Sequence, residues 1–248
     1  MIELKHISKT FNQGTANELI ALNDLSLKIE SSQFVLMIGS NGSGKSTLLN
    51  VLAGNVPVNE GKILIDGNDI TQIKEHQRSK WIARIFQNPL MGTAHDLSIL
   101  ENFRLAALRT QSKKLITGTT EMFRRQTRDK ISLLNLGLEN KIDQQMGTLS
   151  GGQRQALTLL MAVMDEPKIL LMDEPASALD PKTSGVLMLL AEKIIREFNL
   201  TALLVTHQLK DVLSFGNRVI MMHEGSILKD LNKAEKSTLQ VNDIYSWF

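Results

Sequence analysis

The run Gly39-Ser40-Asn41-Gly42-Ser43-Gly44-Lys45-Ser46 fits the pattern G-x-x-x-x-G-K-[ST]. Before it stands Phe34-Val35-Leu36-Met37-Ile38, a continuous apolar run of the kind found in a strand buried on both faces. After it, residues 45–53 read as a helix. The order strand, glycine loop, helix has a physical meaning. Glycines let successive backbone N–H groups converge on one phosphate, and the helix that follows points its positive end at the same place. In such a loop Lys45 reaches the β- and γ-phosphates of a nucleotide, and the Ser46 hydroxyl ligates Mg²⁺. A dinucleotide loop fits worse, because the glycine spacing differs and Lys45 would have no partner.

Outward from this loop, two more buried-strand runs appear, Ile169-Leu170-Leu171-Met172 and Ala202-Leu203-Leu204-Val205. Between them Leu187, Leu190, Ile194 and Phe198 recur at helical spacing, and Pro181 stands where a first helical turn tolerates proline. Strands alternating with helices predict an α/β fold with a mostly parallel core sheet. Near the N-terminus, Leu25, Leu27 and Ile29 alternate with polar neighbours, as in a half-buried strand. Residues 218–222 and 227–228, joined by His223-Glu224-Gly225-Ser226, predict a hairpin. Short apolar runs at 159–164 and 186–191 are expected to be core.

Residues 88–147 differ in character. Turn signals are frequent, and Ile99, Phe103 and Ala107 mark an amphipathic helix. Arg104, Arg109, Lys113, Lys114, Arg124, Arg125, Arg128 and Lys130 make this segment basic. It reads as a helical insertion within a single domain spanning 1–248, its basic residues forming a solvated face or one close to anionic headgroups. Net charge is only +2, which demands no nucleic-acid partner. The absence of cysteine excludes disulfides and thiolate metal sites. The first residues lack a signal-peptide pattern, and no stretch approaches the ~20 apolar residues of a membrane span. Any link to a membrane is therefore expected to run through a partner.

Three further places carry chemistry. The run 169–172 ends in Asp173-Glu174, which puts a carboxylate for a hard cation at a strand's C-terminal edge. Glu174, one residue on, is placed to orient and deprotonate a water attacking the γ-phosphate. His207 follows the other apolar strand, where it either hydrogen-bonds the γ-phosphate or is satisfied by backbone. Leu149-Ser150-Gly151-Gly152-Gln153 reads as a second glycine-rich helix start bearing a serine. One nucleotide hardly needs two such cradles from the same chain, whereas a neighbouring subunit's nucleotide would use the second.

With these motifs in this order over nearly the whole chain, the sequence resembles the ATP-binding subunits of ABC transporters, those of bacterial importers in particular. The family is a P-loop NTPase with an N-terminal antiparallel β subdomain and an inserted α-helical subdomain. By this resemblance Gly39, Ser40, Asn41, Gly42, Ser43, Gly44, Lys45, Ser46 and Thr47 form the Walker A loop, and Gln87 is the Q-loop glutamine. Ser150, Gly151, Gly152 and Gln153 belong to the LSGGQ signature, Asp173 and Glu174 to Walker B, Asp180 to the D-loop, and His207 is the switch histidine. Phe11 stands at the adenine-stacking position, where tyrosine is common in the family. The resemblance implies ATP and Mg²⁺ as cofactors, with Ser46, Gln87 and Asp173 toward the metal and Glu174, His207, Lys45 and Gln87 in catalysis.

It implies two chains closing head to tail around two ATP molecules as a homodimer, bound to a transmembrane permease at the cytoplasmic face of the membrane. A substrate-binding protein would complete the system. Residues 87–94 and 220–225 look like a subgroup linked in part to amino acids such as tryptophan or tyrosine. The competing expectation is a cytosolic ABC ATPase that drives assembly of a soluble complex. A third, a non-catalytic nucleotide sensor, conflicts with the presence of both Glu174 and His207.

Overall fold

β1 (Ile2–Phe11) and β2 (Leu19–Ile29) pair antiparallel, with Ile2 opposite Ile29 and Phe11 opposite Leu19. In the computed structural model, residues 1–88, 90–108 and 118–247 are described. Arg109, Lys113, Lys114, Pro89 and Phe248 lie outside them. With β4 (Glu60–Ile65) and the two-residue β5 (Asn68–Asp69), the first strands make a four-stranded antiparallel sheet ordered β2-β1-β4-β5. Leu25, Leu27 and Ile29 turn inward as the alternation predicts.

The core sheet is built on β3 (Phe34–Ile38), all five residues of which are buried. Its other strands are β6 (Ile82–Ile85), β7 (Ile169–Asp173), β8 (Thr201–Val205), β9 (Arg218–His223) and β10 (Ser226–Leu231). The order is β10-β9-β3-β8-β7-β6, parallel throughout except for the final hairpin β9–β10. Ligand sites in such sheets lie beyond the carboxyl ends of the strands. The glycine loop after β3, Asp173 at the end of β7 and His207 just past β8 all fall there.

Alternate residues of each core strand face two different layers. Val35, Met37, Leu171 and Leu203 pack with the first sheet and α1 (Lys45–Ala53). Leu36, Leu170 and Leu204 pack with α5 (Gly151–Ala162) and α6 (Pro181–Glu197) on the other face. A four-residue α2 (Glu75–Arg78) precedes β6. The segment between β6 and α5 carries α3 (Ile99–Ala107), α4 (Glu121–Ser132) and two short 3-10 turns. Its core is continuous with the main one, since Ile99, Phe103 and Ile131 join the same apolar cluster as Leu157 and Leu160 of α5. Short helices α7 (Leu209–Ser214), α8 (Lys233–Ser237) and α9 (Val241–Tyr245) close the chain.

One expectation needs correction. Residues 186–191 are not wholly core, because the helical period of α6 turns Val186 and Leu189 outward, 50% and 62% exposed, while Leu187, Met188 and Ala191 turn in. Within the basic segment, the Arg124 guanidinium pairs with Asp143 at 2.5 Å and with Glu121 at 3.6 Å. Trp247 and Trp81 are partly buried and pack one against each of the two apolar clusters.

Candidate active site

The turn from β3 into α1 needs glycine at its two ends. Gly39 has φ +146, and a Cβ there would stand 2.3 Å from the Met222 carbonyl oxygen. Gly44 has φ +100, and its Cβ would stand 2.4 Å from the Ala21 carbonyl oxygen. Backbone fills both places, so no side chain fits. Gly44 is also the N-cap of α1 and supplies no side-chain cap, which leaves the first-turn N–H groups directed into the loop. Ser40, Asn41 and Gly42 are exposed on the loop's crest, Ser43 is buried, and Thr47 is half-buried on α1.

Lys45 is buried, and its ammonium is satisfied locally. Nζ donates to the carbonyl oxygens of Gly39 and Ser40, each at 2.8 Å, and to Ser43 Oγ at 3.2 Å. Burial pulls its pKa below the ordinary lysine value, opposed by the nearby charges of Glu174 and Asp173. A phosphate entering the loop would take up a donor now spent on a carbonyl. The lysine is thus held in place beforehand at the mouth of the cradle.

The exposed Ser46 lies on the outer side of α1, its hydroxyl 3.4 Å from Asp173 Oδ1. A hydroxyl facing a carboxylate is a hard-oxygen donor pair, suited to Mg²⁺. Among the described residues no group of three or more His, Cys, Asp or Glu could hold a metal by itself. Mg²⁺ is commonly bound through one or two protein oxygens together with water and phosphate oxygens. The pair therefore fits Mg²⁺ carried in with a nucleotide. Gln87 borders the same open cavity of about 440 Å³ as Asp173, Phe86 and Ala178. Its side chain is exposed and, among the described residues, makes no hydrogen bond.

Glu174 and His207 are brought together, Oε1 lying 2.8 Å from Nε2. Glu174 has φ +46, unusual for a residue with a Cβ, and its N–H donates to the Val205 carbonyl at 3.0 Å. This kink carries the carboxylate off the end of β7 toward His207. The Thr206 hydroxyl fixes the histidine's loop, accepting from Gln208 N–H at 3.0 Å and donating to Asp211 Oδ2 at 3.3 Å.

Ser150 does begin a helix, but its hydroxyl is occupied. Ser150 Oγ accepts from Gln153 N–H at 3.3 Å and Gln153 Oε1 accepts from Ser150 N–H at 3.2 Å, a capping box. The box draws Gly151 and Gly152 into α5's first turn, with Ser150 as its N-cap. Asp180 likewise caps α6, its Oδ1 accepting from Lys182 and Thr183 N–H at 3.1 Å each. Hydrogen bonds from Thr183 and Lys182 hold its carboxyl below the usual range. Among the described residues no hydrogen bond joins 149–153 to the glycine loop. Phe11 is half-buried at the end of β1, with Lys9 Nζ 5.1 Å from its ring centroid.

Two contacts at this site escape a reading by motif. Gln155 of α5 donates from Nε2 to the Phe86 carbonyl at 3.1 Å, linking the signature helix to the segment that carries Gln87. Arg84, the charged member of β6, reaches Asp173 with Nη2 at 3.4 Å. The only sequence signal for Arg84 was a cation inside the otherwise apolar run 82–86.

A parallel sheet with a glycine-lysine loop at one strand end, and carboxylates and a histidine at the next two, defines a P-loop ATPase. A model of the ABC transporter family matches residues 22–177, and the chain belongs to that family. The tyrosine transport ATP-binding protein of Clostridioides difficile is 39% identical over 251 residues, covering 100% of this chain and 98% of its own. The high-affinity branched-chain amino acid transport ATP-binding protein of Pseudomonas aeruginosa is 34% identical over 220 residues, 86% of each chain. Among solved structures, an ATP-binding cassette dimer in a post-hydrolysis state with ADP and Pi superposes with a TM-score of 0.79 at 29% identity, over 94% of this chain and 99% of that one. A cassette in its ADP conformation gives 0.81 at 27% identity, over 99% and 98%.

The chain is the ATP-binding, ATP-hydrolysing subunit of a transport system. The relatives are transport ATPases, which leaves the assembly-ATPase expectation without support. As such a subunit it works with a membrane permease, and cassettes of this family form dimers. Among the described residues no helix is long and apolar enough to cross a membrane.

Proposed function

We propose that this subunit powers import of an amino acid of the tyrosine class, acting as a head-to-tail homodimer on the cytoplasmic face of a permease. A substrate-binding protein delivers the cargo in this reading. The observation that carries the chemistry is the convergence of Lys45, Ser46, Asp173, Glu174 and His207 at the carboxyl edge of one parallel sheet. The cargo class rests on the relative that aligns end to end with this chain.

In this site the backbone N–H groups of residues 39–47 and the Lys45 ammonium bind the phosphates, and the Phe11 ring stacks on adenine. Ser46, Asp173 and Gln87 would hold Mg²⁺, which would offset charge on the β- and γ-phosphates. Glu174 takes the proton of the water that attacks the γ-phosphorus, as the bond from that phosphorus to the bridging oxygen breaks and ADP leaves. His207 holds the Glu174 carboxylate in position and donates to a γ-phosphate oxygen. Ser150, Gly151, Gly152 and Gln153 of the facing chain close over the same nucleotide, with Asp180 at the seam. Residues 88–147 form the helical subdomain that meets the permease, and Gln87 at its edge relays nucleotide state to it.

Mixing two inactive variants tests the composite site. A dimer of one Lys45→Ala chain and one Ser150→Ala chain has one site with both Lys45 and Ser150 intact. ATPase activity of the mixture should therefore exceed that of either variant alone. A mixture no more active than the mean of the two would refute the head-to-tail arrangement. For partners and cargo, tagged Glu174→Gln protein is recovered from detergent-solubilised membranes with ATP and Mg²⁺. A co-purifying multi-span protein is expected; recovery of soluble partners only would overturn the permease assignment.

A further inference from the structure

Asp173 divides its two carboxylate oxygens between two neighbours. Oδ1 faces Ser46 Oγ at 3.4 Å on the phosphate-loop side, and Oδ2 faces Arg84 Nη2 at 3.4 Å. Arg84 is itself anchored. Nη1 donates to Asn50 Oδ1 of α1 at 2.6 Å and to Asn55 Oδ1 at 3.3 Å. The guanidinium carbon lies 4.7 Å from the centroid of the Phe86 ring, one residue before Gln87. Both charged side chains are largely removed from water, 13% exposed for Arg84 and 17% for Asp173.

The position of Arg84 follows from the sheet. It stands opposite Leu171 in the β6–β7 register and shares its strand face with Ile82, which packs beneath α1. The helix of the phosphate loop, the strand bearing Asp173 and the segment bearing Gln87 therefore meet at one guanidinium. Among the described residues its Nε is buried without a hydrogen-bond partner. Leaving a buried donor unpaired is costly. A strand that packed only for stability would be served better by an apolar residue here.

We propose that Arg84 is a positioning residue for the cation: it holds Oδ2 of Asp173 so that Oδ1 alone is presented, beside Ser46, to the metal. This rests on the assignment of Asp173 and Ser46 to Mg²⁺ made above. A carboxylate fixed by one oxygen offers the single-oxygen contact that Mg²⁺, with its strict octahedral demand, takes readily. Released from Arg84, the carboxylate is free to rotate, and each productive contact must first be ordered. The planar fork of the guanidinium reaches Asn50 and Asp173 from separate nitrogens, whereas a lysine offers a point charge and no fork.

The test separates metal affinity from turnover. Binding of a fluorescent ATP analogue is titrated in EDTA and then against increasing Mg²⁺, for wild type, Arg84→Met, Arg84→Lys and Asp173→Asn. Arg84→Met should bind the nucleotide in EDTA within about 3-fold of wild type, while its Mg²⁺ midpoint rises about 10- to 100-fold, as for other outer-shell partners of metal ligands. The EDTA arm also reports whether the variant is folded. Arg84→Lys should remain shifted, because charge without the fork does not hold Oδ2.

Midpoints for Arg84→Met and Arg84→Lys within about 2-fold of wild type, with Asp173→Asn shifted, would overturn the role of Arg84 alone. Full rescue by Arg84→Lys would replace positioning by simple charge and equally overturn it. An unshifted Asp173→Asn would remove Asp173 from the metal, and the present proposal with it.

Discussion

Glu174→Gln isolates the chemical step from everything else the site does. Glutamine has the same length and the same Cβ, so the φ of +46 at this position is no more strained than before. The amide still reaches His207, 2.8 Å from the present carboxylate oxygen, but cannot accept a proton from water. Loss of one hydrogen bond to a charged partner costs about 1.5–3 kcal/mol at most, a Tm change of about 3–12 °C for a chain of this length. A positioned general base contributes about 10²–10⁴-fold, which is about 2.7–5.5 kcal/mol in the barrier. Phosphate release at saturating ATP should therefore fall by at least about 10²-fold. ATP affinity, read from the nucleotide-dependent rise in Tm, should stay within about 3-fold, since the loop of residues 39–47 is untouched. Size-exclusion chromatography should show an ATP-dependent dimer that persists. His207→Gln combined with Glu174→Gln should cost little more than Glu174→Gln alone, because residues acting as a unit are not additive. Turnover within about 3-fold of wild type, with binding intact, would remove Glu174 as the base.

Two other outcomes follow from local geometry. Gly44→Ala combines a φ of +100 with a Cβ 2.4 Å from a backbone oxygen, for about 2–5 kcal/mol and a Tm fall of about 4–20 °C, with nucleotide binding lost. Gly42→Ala, at φ +82 but with nothing within 4 Å of its Cβ, should cost only the backbone term; equal falls for the two would refute the steric account. Asp211 is buried, and that burial raises its carboxyl pKa against a weaker opposing bond from Thr206. The folded state thus keeps this proton to higher pH than the unfolded chain does, so the associated stability is present below the ordinary carboxylate range and lost as pH rises through the folded value. The Tm of Asp211→Asn relative to wild type should climb as pH rises above the ordinary carboxylate range, and a flat difference would refute it.

The parts of the fold legible in the sequence were those where one physical demand acts alone. Residues 34–38 are apolar because both faces of β3 are covered, and Gly39 and Gly44 are glycines because backbone oxygens stand where a Cβ would be. A run such as 186–191 misled because hydrophobic composition does not state which residues of a helix turn outward. Val186 and Leu189 needed the phase of α6, which is set by packing against α5 and the sheet. Arg84 and Gln155 were out of reach for a different reason. Each acts across elements distant in sequence, Arg84 on Asn50 and Asp173, Gln155 on Phe86, and no local spacing encodes such contacts. Ser150 was legible as a helix start, yet its capping partner changes what its hydroxyl is doing in a single chain.

Three polar groups of the proposed composite site, on Lys45, Ser150 and Asp180, are already satisfied within one chain. Lys45 donates to two loop carbonyls and a serine, Ser150 caps α5, and Asp180 caps α6. None waits as an unpaired buried group, which would destabilise the nucleotide-free subunit by about 1–3 kcal/mol each. Binding ATP and a second chain then exchanges local bonds for others of similar kind, except at Lys45, where carbonyl partners give way to charged phosphate oxygens. Hydrogen bonds between ionised partners are roughly twice as strong as neutral ones, so the net gain concentrates at the lysine and its loop. The signature serine and Asp180 gain little from the exchange and so contribute mainly geometry. In the proposed arrangement, such a site would bind nucleotide with one chain and close only when the second is correctly placed. In the proposed cycle, release of phosphate removes one of the two charged partners of Lys45, the β-phosphate of ADP remaining, and frees part of the ammonium for its loop carbonyls. Closing and reopening then follow the presence of the γ-phosphate, which is what a motor coupled to a permease requires.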